Sequence, residues 1–381
     1  VRIELSDDQE MIRDAVRDFA RNVVLPRSEE IERSGEFPAD LVRQAAELDL
    51  LGIVIPEKYG GAGLDHVSFA IFVEEIAAVS GALAVILDVH TSVGSEPILD
   101  WGTDEQRQRW LPRLAGGELL GAFALTEPGA GSDAASLQTT AERRGNEYVL
   151  NGTKTFITNM GEAGLYIVMA RTGSEPRARG ISAFIVEGGS EGLRFGVPMH
   201  KMGLSGSPTG EVIFEDVVVP AENMLGPEGS GFKVAMKALD SGRIGISAQA
   251  VGLARGALDL AVGYARGRVQ FGQPLAQFEG LQFMVADMAT AVDAARLMTW
   301  QAAAACDRGE DFTQLAAMAK VFATDAAMSV TTDAVQIFGG YGYIKEFPIE
   351  RFMRDAKATQ IYEGTNQIQR IVIARELLRG D

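Results

Sequence analysis

The N-terminal third of the chain repeats its apolar residues at helical spacing. In LSDDQEMIRDAVRDFARNVVLP, Met11, Ile12, Ala15, Val16, Phe19 and Val23 fall at three- and four-residue steps and form one stripe. Ser6 with Gln9 three places on reads as a capping box, and Pro26 reads as the stop. A second helix is expected from Pro38 to Gly52, and a third over TDEQRQRWLPRL, capped by Thr103 with Gln106.

From about Gly121 the period shortens to that of strands. In EYVLNGTKTFIT two β-prone runs flank Asn151-Gly152, which predicts a hairpin turn at that pair. LYIVMART, ISAFIVE and GEVIFEDVVVP follow as strands, with connections too short for helical crossovers, so the sheet should be mostly antiparallel. After GPEGSGF the helical period returns. One helix is expected from Phe232 to about Arg268, others over Phe278–Arg308 and Phe312–Phe338, and a fourth over IQRIVIARELL. Four long helices with short connections predict an antiparallel bundle. The expected class is α+β: a helical domain over 1–118, a barrel-like antiparallel β-domain over 119–226 and a four-helix bundle over 227–381.

Composition narrows the function. At 46% hydrophobic and 23% charged residues the chain is of globular type, and its apolar runs read as shorter than the ~20 residues of a membrane helix, so no membrane insertion is expected. The acidic, amphipathic start is unlike a secretory signal, which makes the cytoplasm the expected location. Lys and Arg total 35 against 52 for Asp and Glu, a net charge of −17 that repels nucleic acid and anionic membranes. An anionic small ligand can still be met by local cations or helix N-termini. The single Cys306, in WQAAAACDRG, rules out an intrachain disulfide and reads as packing among small buried residues. His66, His90 and His200 are too scattered for a metal site or a Ser-His-Asp triad, so no metal is expected.

Two stretches carry possible chemistry. In FALTEPGAGSDAAS (123–136), Gly129, Gly131 and Ser132 form a loop able to hold a phosphate or a flavin edge, or an ordinary β-turn. The GxGxxG spacing and βαβ context of a dinucleotide fingerprint are missing there, and IFGGYGYI follows a helix-period run instead. In TQIYEGTNQIQR, Glu363 is the only acid among uncharged residues that run on to Arg370. It is either a solvated turn residue or a general base in a dry, charge-poor site, where exclusion of water raises its pKa.

Six stretches, in order, resemble the acyl-CoA dehydrogenase family: LTEPGAGSD, NGTKTFITN, MGLSGSPTGEVIFEDVVVP, SGRIGISAQAVGLARGALDLAVGYARGRVQFG, DAVQIFGGYGY and MRDAKATQIYEGTNQIQR. The resemblance implies the three-domain fold, non-covalent FAD, a homotetramer built as a dimer of dimers, and α,β-desaturation of an acyl-CoA thioester. It implies that Glu363 takes the α-proton while the β-hydrogen leaves as hydride to flavin N5, with electrons passing to electron-transfer flavoprotein. The backbone N–H of Glu363 and a ribityl hydroxyl would polarise the thioester carbonyl. Some relatives carry the base where this chain has Gly242, which favours the short-, medium- or branched-chain subfamilies.

By the same resemblance Phe123, Leu125 and Thr126 would touch the isoalloxazine, Gly131 and Ser132 the pyrophosphate region, and Phe156 and Thr158 the other side of the ring. Arg268, Phe271 and Gln336 to Gly340 would reach the adenylate across a subunit interface, and Thr365 and Gln367 would complete the site. Substrate contacts would come from Ser132, Asp240, Arg243, Tyr362 and Gly364, with Val89–Gly94 and Tyr362 lining a pocket for short to medium acyl chains. Arg243 reads equally as a structural ion-pair member. Phe156 stands where many relatives have Trp, and Glu279 where they often have Gln, which puts one FAD contact in question. A same-fold oxidase using oxygen and a non-catalytic CoA-binding relative are the alternatives.

Overall fold

The computed structural model describes residues 4–175 and 177–379, so the extreme ends of the two expected outer domains, 1–3 and 380–381, lie outside it. Helix α1 (Asp7–Phe19) begins as expected: Gln9 N donates to Ser6 Oγ at 3.2 Å and Ser6 N donates to Gln9 Oε1 at 3.0 Å. Its stripe is narrower than expected, because α1 buries Val16 and Phe19 while Met11 is 66% exposed. The chain stays helical through a wide turn, Ala20–Val24, and Leu25–Arg27, then forms α2 (Ser28–Ser34) and α3 (Ala39–Glu47).

Four helices follow: α4 (His66–Ala77), α5 (Gly81–Val89), α6 (Glu96–Trp101) and α7 (Asp104–Ala115). Thr103 and Gln106 form the second expected capping box on α7. Helices α4 and α5 are buried on almost every side, so they lack the polar face that makes a helix readable in sequence. The expectation on apolar length is corrected here. The helical run Gly81–Trp101 has 21 residues and is apolar enough to cross a membrane, but 94% of its window is buried inside the protein, as in a core helix.

The middle region is an eight-stranded sheet: β1 (Gly121–Ala124), β2 (Thr140–Arg144), β3 (Glu147–Thr158), β4 (Leu165–Arg171), β5 (Ile181–Glu187), β6 (Leu193–Phe195), β7 (Thr209–Pro220) and β8 (Met224–Leu225). The order is β6-β7-β3-β2-β4-β5-β8, with β1 on β4. Pairing is antiparallel except where β4 meets β1 and β2. The predicted hairpin at Asn151-Gly152 is not formed; β3 runs straight through that pair, and the turn lies at 145–146, between Arg144 and Glu147. Asn151 is drawn into a bulge instead: its Nδ2 donates to Asp216 Oδ1 and its Oδ1 accepts from Asp216 N, both at 2.9 Å. Gly152 is required there because a Cβ would lie 2.5 Å from Thr139 Oγ1.

The C-terminal region holds α8 (Gly231–Gly267), α9 (Glu279–Asp307), α10 (Thr313–Phe338), α11 (Ile349–Thr359) and α12 (Asn366–Leu378). Three helices are long, α12 forms over the expected fourth, and α11 is a further helix ahead of it. With 37 residues α8 spans about 55 Å. Its middle, from Asp240 to Ala254, is buried throughout, so the long helix threads between the helical regions rather than lying on the surface. Cys306 is only partly buried, at the end of α9.

Candidate active site

The loop between α11 and α12 carries Glu363 at φ +51° and Gly364 at φ +88°. A left-handed Glu is strained by roughly 1–3 kcal/mol and needs to be held. Gln369 Nε2 donates to Glu363 O at 3.1 Å and to Gly364 O at 2.9 Å. Lys320 Nζ, buried on α10, donates to Gly364 O and to Asn366 Oδ1, each at 3.0 Å. Thr365 caps α12 by accepting from Ile368 N at 3.3 Å. A Cβ on Gly364 would lie 2.7 Å from Gln369 Nε2, so the two-residue turn is built around glycine.

This loop turns the Glu363 carboxylate inward onto α8. A Cβ at Gly242 would overlap Glu363 Oε2, so the carboxylate rests directly against α8 at this glycine. Burial pushes the Glu363 pKa up to about 7, against the pull of the Arg243 and Lys320 cations. The expectation of a charge-poor surround is therefore corrected. The chain neighbours of Glu363 are uncharged, but α8 and α10 bring Arg243 and Lys320 to it, and α5 brings Asp88, a fully buried acid whose pKa is raised by burial and by the charge of Glu363. Burial in turn draws Lys320 down to about 7.

Arg243 and Asp240 are bonded to each other, Nη1 to Oδ1 at 2.5 Å, and Thr313 Oγ1 donates to Asp240 Oδ2 at 2.9 Å. That is the arrangement of an internal ion pair, although Arg243 Nε has no protein partner. The Tyr362 hydroxyl donates to Gln249 Oε1, and Gln249 Nε2 donates to Gly81 O at 2.8 Å. The Tyr362 ring and Phe123 pack on one apolar cluster of Val85, Val89, Val93, Leu204 and Ala238. The loop bearing Glu363 and the face of the sheet thus converge, with Val89 and Val93 between them.

On that face, Thr155 N donates to Thr126 O at 2.8 Å, which sets Thr126 beside the strand carrying Phe156 and Thr158. Phe156 is 65% exposed at φ +57°, an aromatic face held outward by its backbone. Leu125 is buried in the core, with its carbonyl accepting from Lys154 Nζ at 3.1 Å, so its side chain does not face the site. The loop after β1 is anchored at Glu127, whose carboxylate accepts from Lys154 Nζ (2.8 Å), Gln138 N (2.5 Å) and Thr139 N (2.8 Å). Beyond this anchor Gly131 and Ser132 are exposed, and a Cβ on Gly131 would meet nothing within 4 Å. An exposed ring wall beside a loop of open backbone suits a planar cofactor with a pyrophosphate, and the residues present fit FAD.

Arg268, Phe271, Gln336 and Gly340 are elsewhere. Arg268 follows α8, with its guanidinium 5.4 Å from the Tyr341 ring centre, beside a cavity of about 400 Å³ lined by Tyr264, Phe338, Gly339 and Gly340. Phe271 is 95% exposed and Gln336 exposed. Arg268, at the end of α8, is about 39 Å along the helix from Gly242. Glu279 opens α9 near that end, while Gln367 is exposed in the first turn of α12. Sequence reasoning missed Asp88, Lys320, Gln249 and the anchor Glu127; Gln249 and Glu127 lay inside quoted stretches, but nothing in those stretches set them apart. Among the described residues, no group of His, Cys, Asp and Glu is arranged to hold a metal.

Models of the acyl-CoA dehydrogenase N-terminal, middle and C-terminal domains match residues 6–118, 122–217 and 229–378. The chain is 52% identical to an acyl-CoA dehydrogenase of Bacillus subtilis over 99% of its own length and 100% of the relative's. It is 48% identical to a short-chain specific acyl-CoA dehydrogenase of Clostridium acetobutylicum, over 98% and 99%. Among solved structures, a chain described with the electron transferring flavoprotein of Acidaminococcus fermentans superposes with a TM-score of 0.99 at 50% identity. Butyryl-CoA dehydrogenase from Megasphaera elsdenii superposes with 0.98 at 46% identity; both comparisons cover 100% of each chain. The chain belongs to the acyl-CoA dehydrogenase family of FAD-dependent oxidoreductases.

Proposed function

We propose that this protein converts a short-chain acyl-CoA to the trans-2-enoyl-CoA with Glu363 as the base. The observation that carries the proposal is a carboxylate with a buried Oε2 and a pKa raised to about 7, on the residue next to Tyr362, which packs with Phe123 on one apolar cluster. Near neutral pH such a group is ionised in part and basic enough to remove an α-proton from a thioester held against it. When bound, FAD supplies the acceptor for the β-hydride. The chain's own residues do the rest. The left-handed Glu363 turns its side chain to α8 and leaves its N–H for the thioester carbonyl, while Val89 and Val93 take the acyl tail and exclude water. Ser132 lies on the open loop where it can meet both cofactor and CoA. Short-chain preference is supported by the relatives' names, short-chain specific and butyryl-CoA dehydrogenase.

The separation of Arg268 and Phe271 from Glu363 along α8 supports an FAD site completed by a second copy, within the homotetramer the family resemblance implies. Electron-transfer flavoprotein is the proposed acceptor, supported by the likeness to the Acidaminococcus fermentans structure, and a cytoplasmic location goes with it. Butyryl-CoA should be converted to crotonyl-CoA in step with reduction of added electron-transfer flavoprotein. Stoichiometric hydrogen peroxide without that partner would instead make the protein an oxidase, and absence of bound flavin would make it a binding protein.

A further inference from the structure

The buried acids beside Glu363 are not used by this reading, and they are arranged in a row. On α8, Gly242 and Gly245 lie one turn apart on the same face, about 5–6 Å from each other. A Cβ at Gly242 would overlap Glu363 Oε2, and a Cβ at Gly245 would overlap Asp88 Oδ1. Two carboxyl groups from different elements therefore rest side by side on two glycines of one helix. Glu96, at the start of α6, is the third: it accepts from Ser241 Oγ at 2.6 Å, the residue just before Gly242.

Each acid has a buried oxygen without a protein partner: Glu363 Oε2, Asp88 Oδ2 and Glu96 Oε1. The other oxygens of Asp88 and Glu96 are fixed, Asp88 Oδ1 by Ser92 Oγ at 3.0 Å and Glu96 Oε2 by Ser241. One buried polar atom left unpaired costs about 1–3 kcal/mol, so three in a row call for an explanation beyond packing. Burial raises the Asp88 pKa, and the charges of Glu363 and Glu96 raise it further against the Ser92 hydrogen bond. At the far end His66 lies with Nε2 3.5 Å from Glu96 Oε2 and Nδ1 2.7 Å from Asp307 Oδ1. The side chains of His66 and Asp307 are 19% and 22% exposed, so this end of the row reaches water.

We propose that Asp88 and Glu96 form an internal proton path by which Glu363, in its role as base, sends the abstracted proton past the bound thioester to the His66–Asp307 surface. A thioester and cofactor held over Glu363 would close its direct route to solvent, and the proton would then need another exit. The O–H bond on Glu363 breaks as one forms on Asp88, and the proton Asp88 already held passes to Glu96 Oε1. From Glu96 it leaves to water beside His66. One proton is moved, and no electrons. His66 is a positioning residue: burial opposes its charge, but Glu96 and Asp307 raise its pKa, so it stays cationic and favours loss of the proton from Glu96. Arg243 and Lys320 face the Glu363 end and favour its return to carboxylate.

The path rests on Glu363 being the base, and deuterium exchange separates the two claims. The FAD-loaded enzyme is incubated in D2O with 3-thiabutanoyl-CoA, whose β-sulfur prevents hydride loss. Label enters the α-carbon only if the base exchanges its proton with solvent before returning it. Flavin bleaching by butyryl-CoA measures abstraction separately. In Asp88→Asn and in Glu96→Gln the ratio of exchange rate to bleaching rate should fall by at least roughly tenfold. His66→Gln should lower it less and shift its pH dependence. An unchanged ratio in both Asp88→Asn and Glu96→Gln overturns the path. Undiminished exchange in Glu363→Gln overturns the base assignment instead.

Discussion

The carboxylate of Glu363 and the α-carbon of Gly242 are in van der Waals contact, so closely that any side chain at 242 would have to occupy the carboxylate's place. At this position α8 supplies only the space that the carboxylate fills. Gly242→Ala should displace the carboxylate by about an ångström and slow anaerobic bleaching by butyryl-CoA by roughly 100-fold with FAD still bound. A bleaching rate within twofold of the parent would show that the carboxylate does not work from this position.

The pH dependence follows from the cause of the shift. Burial raises the Glu363 pKa to about 7 and the base acts only when ionised, so kcat/KM should rise with pH through an inflection near 7. Lys320 is one of the two cations that hold this value down. Lys320→Met should move the inflection upward, and the pH–rate profile checks it.

The same shift makes a stability prediction. The folded-state pKa of Glu363 lies above that of an unfolded carboxyl group, so the native state binds this proton more tightly. Its contribution is present below the ordinary carboxylate range and is lost as pH rises through about 7. Glu363→Gln removes that loss. Its melting temperature should exceed the parent's by a few degrees at pH 8 and by less at pH 5, as read by differential scanning calorimetry.

Glu127 holds the loop that presents Gly131 and Ser132, and it neutralises Lys154 in the interior. Burial opposes the Glu127 charge, but Lys154 and the hydrogen bonds to Thr139 and Gln138 outweigh it, so its pKa is lowered. Glu127→Gln leaves Lys154 buried without its partner. It should cost about 3–5 kcal/mol in denaturant unfolding and reduce the FAD retained on gel filtration. Unchanged stability and flavin content would show that the loop is held otherwise.

At the other end of α8, Arg268→Ala should lower retained FAD or shift the native mass downward, because its guanidinium stands on the exposed edge of the 400 Å³ cavity rather than near Glu363. Flavin absorbance and light scattering read both outcomes.

What was legible in the sequence was what local physics decides. Ser6 with Gln9 and Thr103 with Gln106 cap the helices they were expected to cap, and the length of α8 follows from its uninterrupted period. The Asn151-Gly152 pair misled because its turn preference yielded to pairing with Asp216 across the sheet. Helix α5 was silent because burial on all sides leaves no periodic stripe, and with it Asp88 went unseen. Glu363 stood out by its isolation in the chain, yet its isolation in space was false: Arg243, Lys320 and Asp88 come from three helices, and only the fold brings them together.

The central claim is that Glu363 removes the α-proton, and anaerobic stopped-flow bleaching of the FAD-loaded Glu363→Gln variant by butyryl-CoA tests it most directly. The account predicts flavin content equal to the parent's and a bleaching rate lower by about 1000-fold or more. Bleaching at the parent rate would contradict it.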